Sequence, residues 1–111
     1  MNLKEKLKLL LKETVFDLVN KDFVKISSKL IEELTIEDIK EELNYWGTLT
    51  IPPDLAYENI NYIEYNYGEG YAMEFELWID NKESDLTLSC EAIIDQSDNG
   101  LSFSITNLHV L

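Results

Sequence analysis

The hydrophobic period of this chain changes once, and a proline pair marks the change. Up to Trp46 the apolar residues recur at helical spacing; from Tyr57 onward they alternate. Pro52 and Pro53 stand between the two regimes, lacking the N–H a helix needs and driving the residue before each out of the α region. A chain written this way has to lay helices against a sheet, because neither layer can bury its apolar side alone.

In the first part, Leu3, Leu7, Leu10, Leu11, Thr14, Val15 and Leu18 share one helical face. After a break at Asn20-Lys21-Asp22, the same period in Phe23, Ile26, Leu30 and Leu34 predicts a second helix. Thr35-Ile36-Glu37-Asp38 has the form of a capping box, in which the Thr hydroxyl accepts an N–H and the Asp reaches back. It opens a third helix carrying Ile36, Ile39, Leu43 and Trp46, with Gly47 as its stop.

The second part alternates. Tyr71, Met73, Phe75, Leu77 and Ile79 point one way, with Glu74, Glu76, Trp78 and Asp80 opposite. Leu86, Leu88, Cys90, Ala92 and Ile94 repeat this against Asp85, Thr87, Ser89 and Glu91; Leu101, Phe103 and Ile105 do so against Ser102, Ser104 and Thr106. Asn59-to-Tyr67 reads as a weaker first strand, with Ile63, Tyr65 and Tyr67 as its apolar side. Residues 66–70, Asp80-to-Asp85 and Asp95-to-Gly100 read as the hairpin turns between strands. Clean alternation leaves one sheet face wet. The expected fold is therefore α+β in a single domain: about three N-terminal helices on one face of a four-stranded antiparallel meander, the helical part spanning 1–47 and the sheet 55–111.

Charge divides along the same line. Residues 1–40 hold eight Lys and eight acids, whereas residues 41–111 hold Lys82 alone against fourteen acids, the whole of the formal −13. There is no Arg. Such a body repels nucleic acid and attracts a cationic partner over long range. The 45% hydrophobic share supplies a core and argues against disorder. Cys90 is the only cysteine, so there is no internal disulfide and no thiol metal motif. Leu9-Leu10-Leu11 is too short an apolar run for a signal peptide, and no stretch approaches the ~20 apolar residues that span a bilayer. The chain reads as cytoplasmic, with no membrane and no nucleic-acid partner.

Catalytic and metal motifs are missing too. No phosphate loop, nucleophile elbow, HExxH or CxxC occurs. His109, the only His, has no evident acid or nucleophile beside it and reads as a structural residue in or just after the last strand. Asp95-to-Gly100 lacks the twelve-residue calcium pattern, and turn chemistry accounts for it. No catalytic residue, metal or cofactor is expected. What remains is the wet sheet face. Glu74, Glu76, Glu83, Asp85 and Glu91 around Trp78 make a surface suited to Lys and Arg, the acids attracting and the indole offering cation–π contact. Tyr65 and Asp98 are its outer members.

Three stretches also carry a resemblance. Glu74-Phe75-Glu76-Leu77-Trp78, Glu83-Ser84-Asp85-Leu86-Thr87-Leu88 and the closing Asn107-Leu108-His109-Val110-Leu111 resemble strands of a family of small uncharacterised bacterial proteins. Thr48-to-Pro53 is similar to the stretch before their sheet. The likeness covers residues 35–111, and some members resemble immunity proteins of bacterial toxin systems, including contact-dependent growth inhibition. The chain departs from the pattern at Lys82-Glu83, where a basic residue precedes the Ser, and at Asn107, where Asp is common. The resemblance implies a non-enzymatic immunity protein, a monomer that forms a heterodimer with a cognate basic toxin domain. A nuclease, an RNase first, fits the acidic charge, since its substrate groove must be basic. The alternative is a small-molecule-binding or enzymatic domain with a pocket between curved sheet and helices.

Overall fold

The computed structural model describes residues 2–95 and 100–110. Helix α1 spans Leu3–Val19, with the Asn2 side chain accepting the Glu5 N–H at its start. Its Leu7, Leu11, Val15 and Leu18 are fully buried, one stripe of a helix laid on a sheet. Helix α3, Ile36–Trp46, begins with the capping box: Asp38 N–H donates to the Thr35 hydroxyl and Thr35 N–H to the Asp38 carboxylate. It ends at Gly47, whose φ of 118° is open to glycine and strained for other residues.

The second helix is shorter than the periodicity predicts. Helix α2 covers only Phe23–Ser27. Ser27 and Ser28 turn their hydroxyls back onto the Val24 and Lys25 carbonyls, an alternative to continuing the helix. The chain then runs along the last strand: Ile105 N–H donates to the Lys29 carbonyl and Ile31 N–H to the Ile105 carbonyl. An exposed strand edge is thereby covered, and that takes precedence over helix at Leu30.

The sheet has five strands and starts at residue 49 rather than 55. They are β1 (Leu49–Thr50), β2 (Asn61–Glu64), β3 (Gly70–Ile79), β4 (Lys82–Asp95) and β5 (Gly100–Val110), all antiparallel. Strand β3 pairs with β4 on one edge and with both β1 and β2 on the other, and β5 follows β4. Met73, Phe75, Leu77, Leu86, Leu88, Cys90 and Ile105 bury the inner face against the helices.

Two further expectations are corrected. Strand β2 is phased the other way: Tyr62 faces the core opposite Met73, under the Lys4 ammonium, and Ile63 faces solvent. Tyr62 stands edge-on to Tyr71 and covers more apolar area there than Ile63 would. The turn between β3 and β4 is Asp80–Asn81 alone, both at positive φ as a two-residue hairpin loop requires. Residues 82–85 already belong to β4. Gly70 opens β3 because a Cβ there would run into the Ala92 carbonyl. Among the described residues no helix is long and apolar enough to cross a membrane.

Candidate functional site

The outer sheet face carries a cleft where the β3 ladder is interrupted. Strand β1 pairs as far as Trp78 and β2 begins at Glu74, so Phe75–Leu77 have no strand partner on that side. The intervening 3-10 turn, Asp54–Asn59, arches over the gap. It is pinned on the core side by Tyr57, whose ring stacks on Phe75 at 4.8 Å with the Lys12 ammonium 5.2 Å above it. Backbone alternation aims the Glu76 peptide group at this gap: the Leu77 carbonyl is taken on the β4 side by Ser84, and the Trp78 carbonyl on the β1 side by Thr50.

A bulge sets the opposite wall. Glu76 pairs with Thr87 and Trp78 with Glu83, so Ser84, Asp85 and Leu86 together oppose Leu77. The Ser84 hydroxyl donates to the Leu77 carbonyl at 2.7 Å and accepts the Leu86 N–H at 3.2 Å, satisfying groups that the bulge displaces. The bulge adds an even number of residues, so Glu83 and Thr87 stay on the wet face with Trp78. Thr87 is only 3% exposed there and forms part of the cleft floor. The cleft holds about 160 Å³.

Of the residues singled out from sequence, Glu74, Glu76, Trp78 and Glu83 line this one cleft. Asp85 lies in the bulge beside it, exposed. Tyr65 and Glu91 are brought together instead: the Tyr65 hydroxyl donates to Glu91 at 2.8 Å, tying the end of β2 to β4. Burial, then the bond to Glu91, pushes the Tyr65 phenol up to about 12. Asp98, and the turn 96–99 with it, lies outside the described residues. Sequence reading missed Asn59, Asn61 and Ala56 on the cleft wall. Asn61 donates to Glu74 at 2.8 Å, a contact that needs the β2–β3 register to foresee.

Charge is segregated between the layers. The ion pairs among the described residues are Lys8–Glu58, Lys12–Asp54, Lys25–Asp22 and Lys29–Asp17. Each involves a helical-layer lysine; none reaches Glu74, Glu76, Glu83, Asp85 or Glu91. The outer face therefore presents anions without internal cations, next to a half-buried indole. That arrangement can bind a cation. A second concavity lies between α3 and β5, an open groove with His109, Asp38, Glu41 and Glu42 on its walls. His109 sits within β5 opposite Thr87, and its buried Nδ1 has no hydrogen-bond partner among the described residues.

Residues 15–111 match the family described as a domain of unknown function, DUF7668. The chain belongs to the DUF7668 family. The DUF7668 match takes in the last turn of α1 and the entire sheet, so every wall of the cleft lies within it. No curated protein and no solved structure matches this DUF7668 chain.

Proposed function

We propose that this protein is an inhibitory binding partner of the immunity type, which neutralises a cationic nuclease toxin by setting its acidic sheet face in the toxin's substrate cleft. The observation that carries the reading is the segregation of charge. The ion pairs among the described residues all belong to lysines of the helical layer, Lys8, Lys12, Lys25 and Lys29, while none reaches Glu74, Glu76, Glu83 or Asp85 around Trp78. Carboxylates spaced along a strand can occupy places that phosphates take in a nuclease groove. Long-range attraction would speed the encounter, and the indole would add buried contact. No chemistry by this chain is required. The resemblance of the strand motifs to immunity proteins points the same way.

The test is to look for a neighbouring reading frame that ends in a basic toxin domain and to co-express that domain with this chain. Wild type should restore growth, and the complex should loosen as salt is raised. Glu76→Lys with Glu83→Lys should abolish rescue while the variant stays folded. Undiminished rescue by that variant would move the interface off this face. The alternative, a small-molecule or enzymatic domain, rests on the groove at His109; His109→Ala abolishing rescue while the double Lys variant keeps it would favour that side of the molecule.

A further inference from the structure

The acidic-face reading leaves open what the cleft itself receives, and its shape narrows the choice. We infer that the cleft bounded by Glu76, Trp78 and Glu83 is a seat for a single arginine side chain of the cationic partner; this rests on the reading above and adds to it a named anchor. Three observations converge. First, the size fits one side chain: about 160 Å³ is well below the ~300–1,000 Å³ of pockets that enclose a whole small-molecule ligand. Second, the walls present an aromatic ring between carboxylates. Trp78 and Glu83 are direct cross-strand partners, and Glu76 lies two residues from Trp78 on the same face. A guanidinium is planar, so it can stack on the indole while its edge donates to carboxylates on either side; an ammonium has no such plane. Third, the interrupted ladder turns the Glu76 peptide carbonyl toward the same gap, giving one more acceptor for a group with five N–H donors. Glu74 is less free, since one of its oxygens accepts from Asn61. Asn61 thus fixes the wall, and the two exposed carboxylates, Glu76 and Glu83, supply the charge.

Turn and bulge both shape the seat. The two-residue turn at Asp80–Asn81 puts Glu83 opposite Trp78, and the bulge then places Thr87 opposite Glu76, where an unbroken ladder would place Asp85.

The experiment uses the full chain carrying Trp46→Phe, so that Trp78 is the only tryptophan, and follows its fluorescence and its indole N–H resonance at low salt. The probes are four short blocked peptides: Gly-Arg-Gly, Gly-Lys-Gly, Gly-citrulline-Gly, which keeps the arginine shape without the charge, and an oligo-arginine. The arginine tripeptide should shift Trp78 saturably and bind about tenfold more tightly than the lysine one, with no response to citrulline. Glu76→Gln with Glu83→Gln, checked for an unchanged circular dichroism spectrum, should remove that preference. If oligo-arginine binds while the arginine and lysine tripeptides behave alike, the seat is refuted and the acidic-face reading stands. If oligo-arginine does not bind either, both are refuted.

Discussion

Ser84→Ala should cost this small domain about 2 kcal/mol, because one hydroxyl serves two backbone groups. It donates to the Leu77 carbonyl at 2.7 Å and accepts the Leu86 N–H at 3.2 Å, and both residues are wholly buried. A buried backbone group left without a partner costs ~1–3 kcal/mol, and Ser84 is only half-buried, so water can recover part of each loss. About 1 kcal/mol for each of two groups is the working figure. At this size that lowers the melting temperature by roughly 8 °C. Urea denaturation followed by circular dichroism measures it, with an unchanged slope if only stability has moved. Ser84→Thr keeps a hydroxyl and should lose less than ~1 kcal/mol; Ser102→Ala, exposed on β5, should stay within ~0.5 kcal/mol. A Ser84→Ala variant indistinguishable from Ser102→Ala would mean that the bulge is held by something other than this hydroxyl.

Three further outcomes are expected. Lys29→Met should destabilise by about 2–3 kcal/mol in the same urea assay. It strands Asp17, which is 9% exposed and 3.9 Å from the ammonium, and the residual exposure of both groups keeps the loss below the ~3–5 kcal/mol of a fully buried pair. Adding Asp17→Asn to Lys29→Met should recover part of that. Stability should fall as pH rises from about 10 to about 12: Tyr57 and Tyr65 are pushed up to about 12 in the fold, chiefly by burial, so in that window the folded chain holds protons the unfolded chain has lost. Tyr65→Phe should reduce the slope, and a tyrosinate absorbance titration should show the late phase shrink to the part that Tyr57 contributes. Burial pushes the Cys90 thiol up to about 12, against a smaller downward pull from Lys29, so a disulfide reagent should label it at the rate of unfolding and not before.

The parts of the fold that depend on residues near in sequence were legible. The capping box at Thr35–Asp38 and the stop at Gly47 are local chemistry, and both stand where the sequence puts them. Alternation in β3 sorted Met73, Phe75 and Leu77 from Glu74, Glu76 and Trp78, which is why these last three share one cleft; Glu83 joins them from β4 through its pairing with Trp78. What could not be read depends on pairing between distant segments. Leu30 fits a helical period, yet the β5 edge draws it into extended backbone. In β2, Tyr62 and Ile63 are both apolar enough to face in, and only the register against Met73 decides between them. The bulge at Ser84–Leu86 preserves alternation on either side, so it leaves no mark in the pattern. The Tyr65–Glu91 bond joins residues 26 positions apart, and nothing local to either residue marks the other as its partner.

The placement of the lysines has a practical side. Eight of the nine belong to residues 1–40, and the ninth, Lys82, sits at the hairpin tip just past Asn81. Reagents that target primary amines will therefore decorate the helical side of the molecule and leave the opposite surface almost bare. A sensor chip coupled through those amines would hold the protein with its carboxylate side turned toward the flowing analyte, so the natural orientation of the immobilised protein is the one a binding measurement needs.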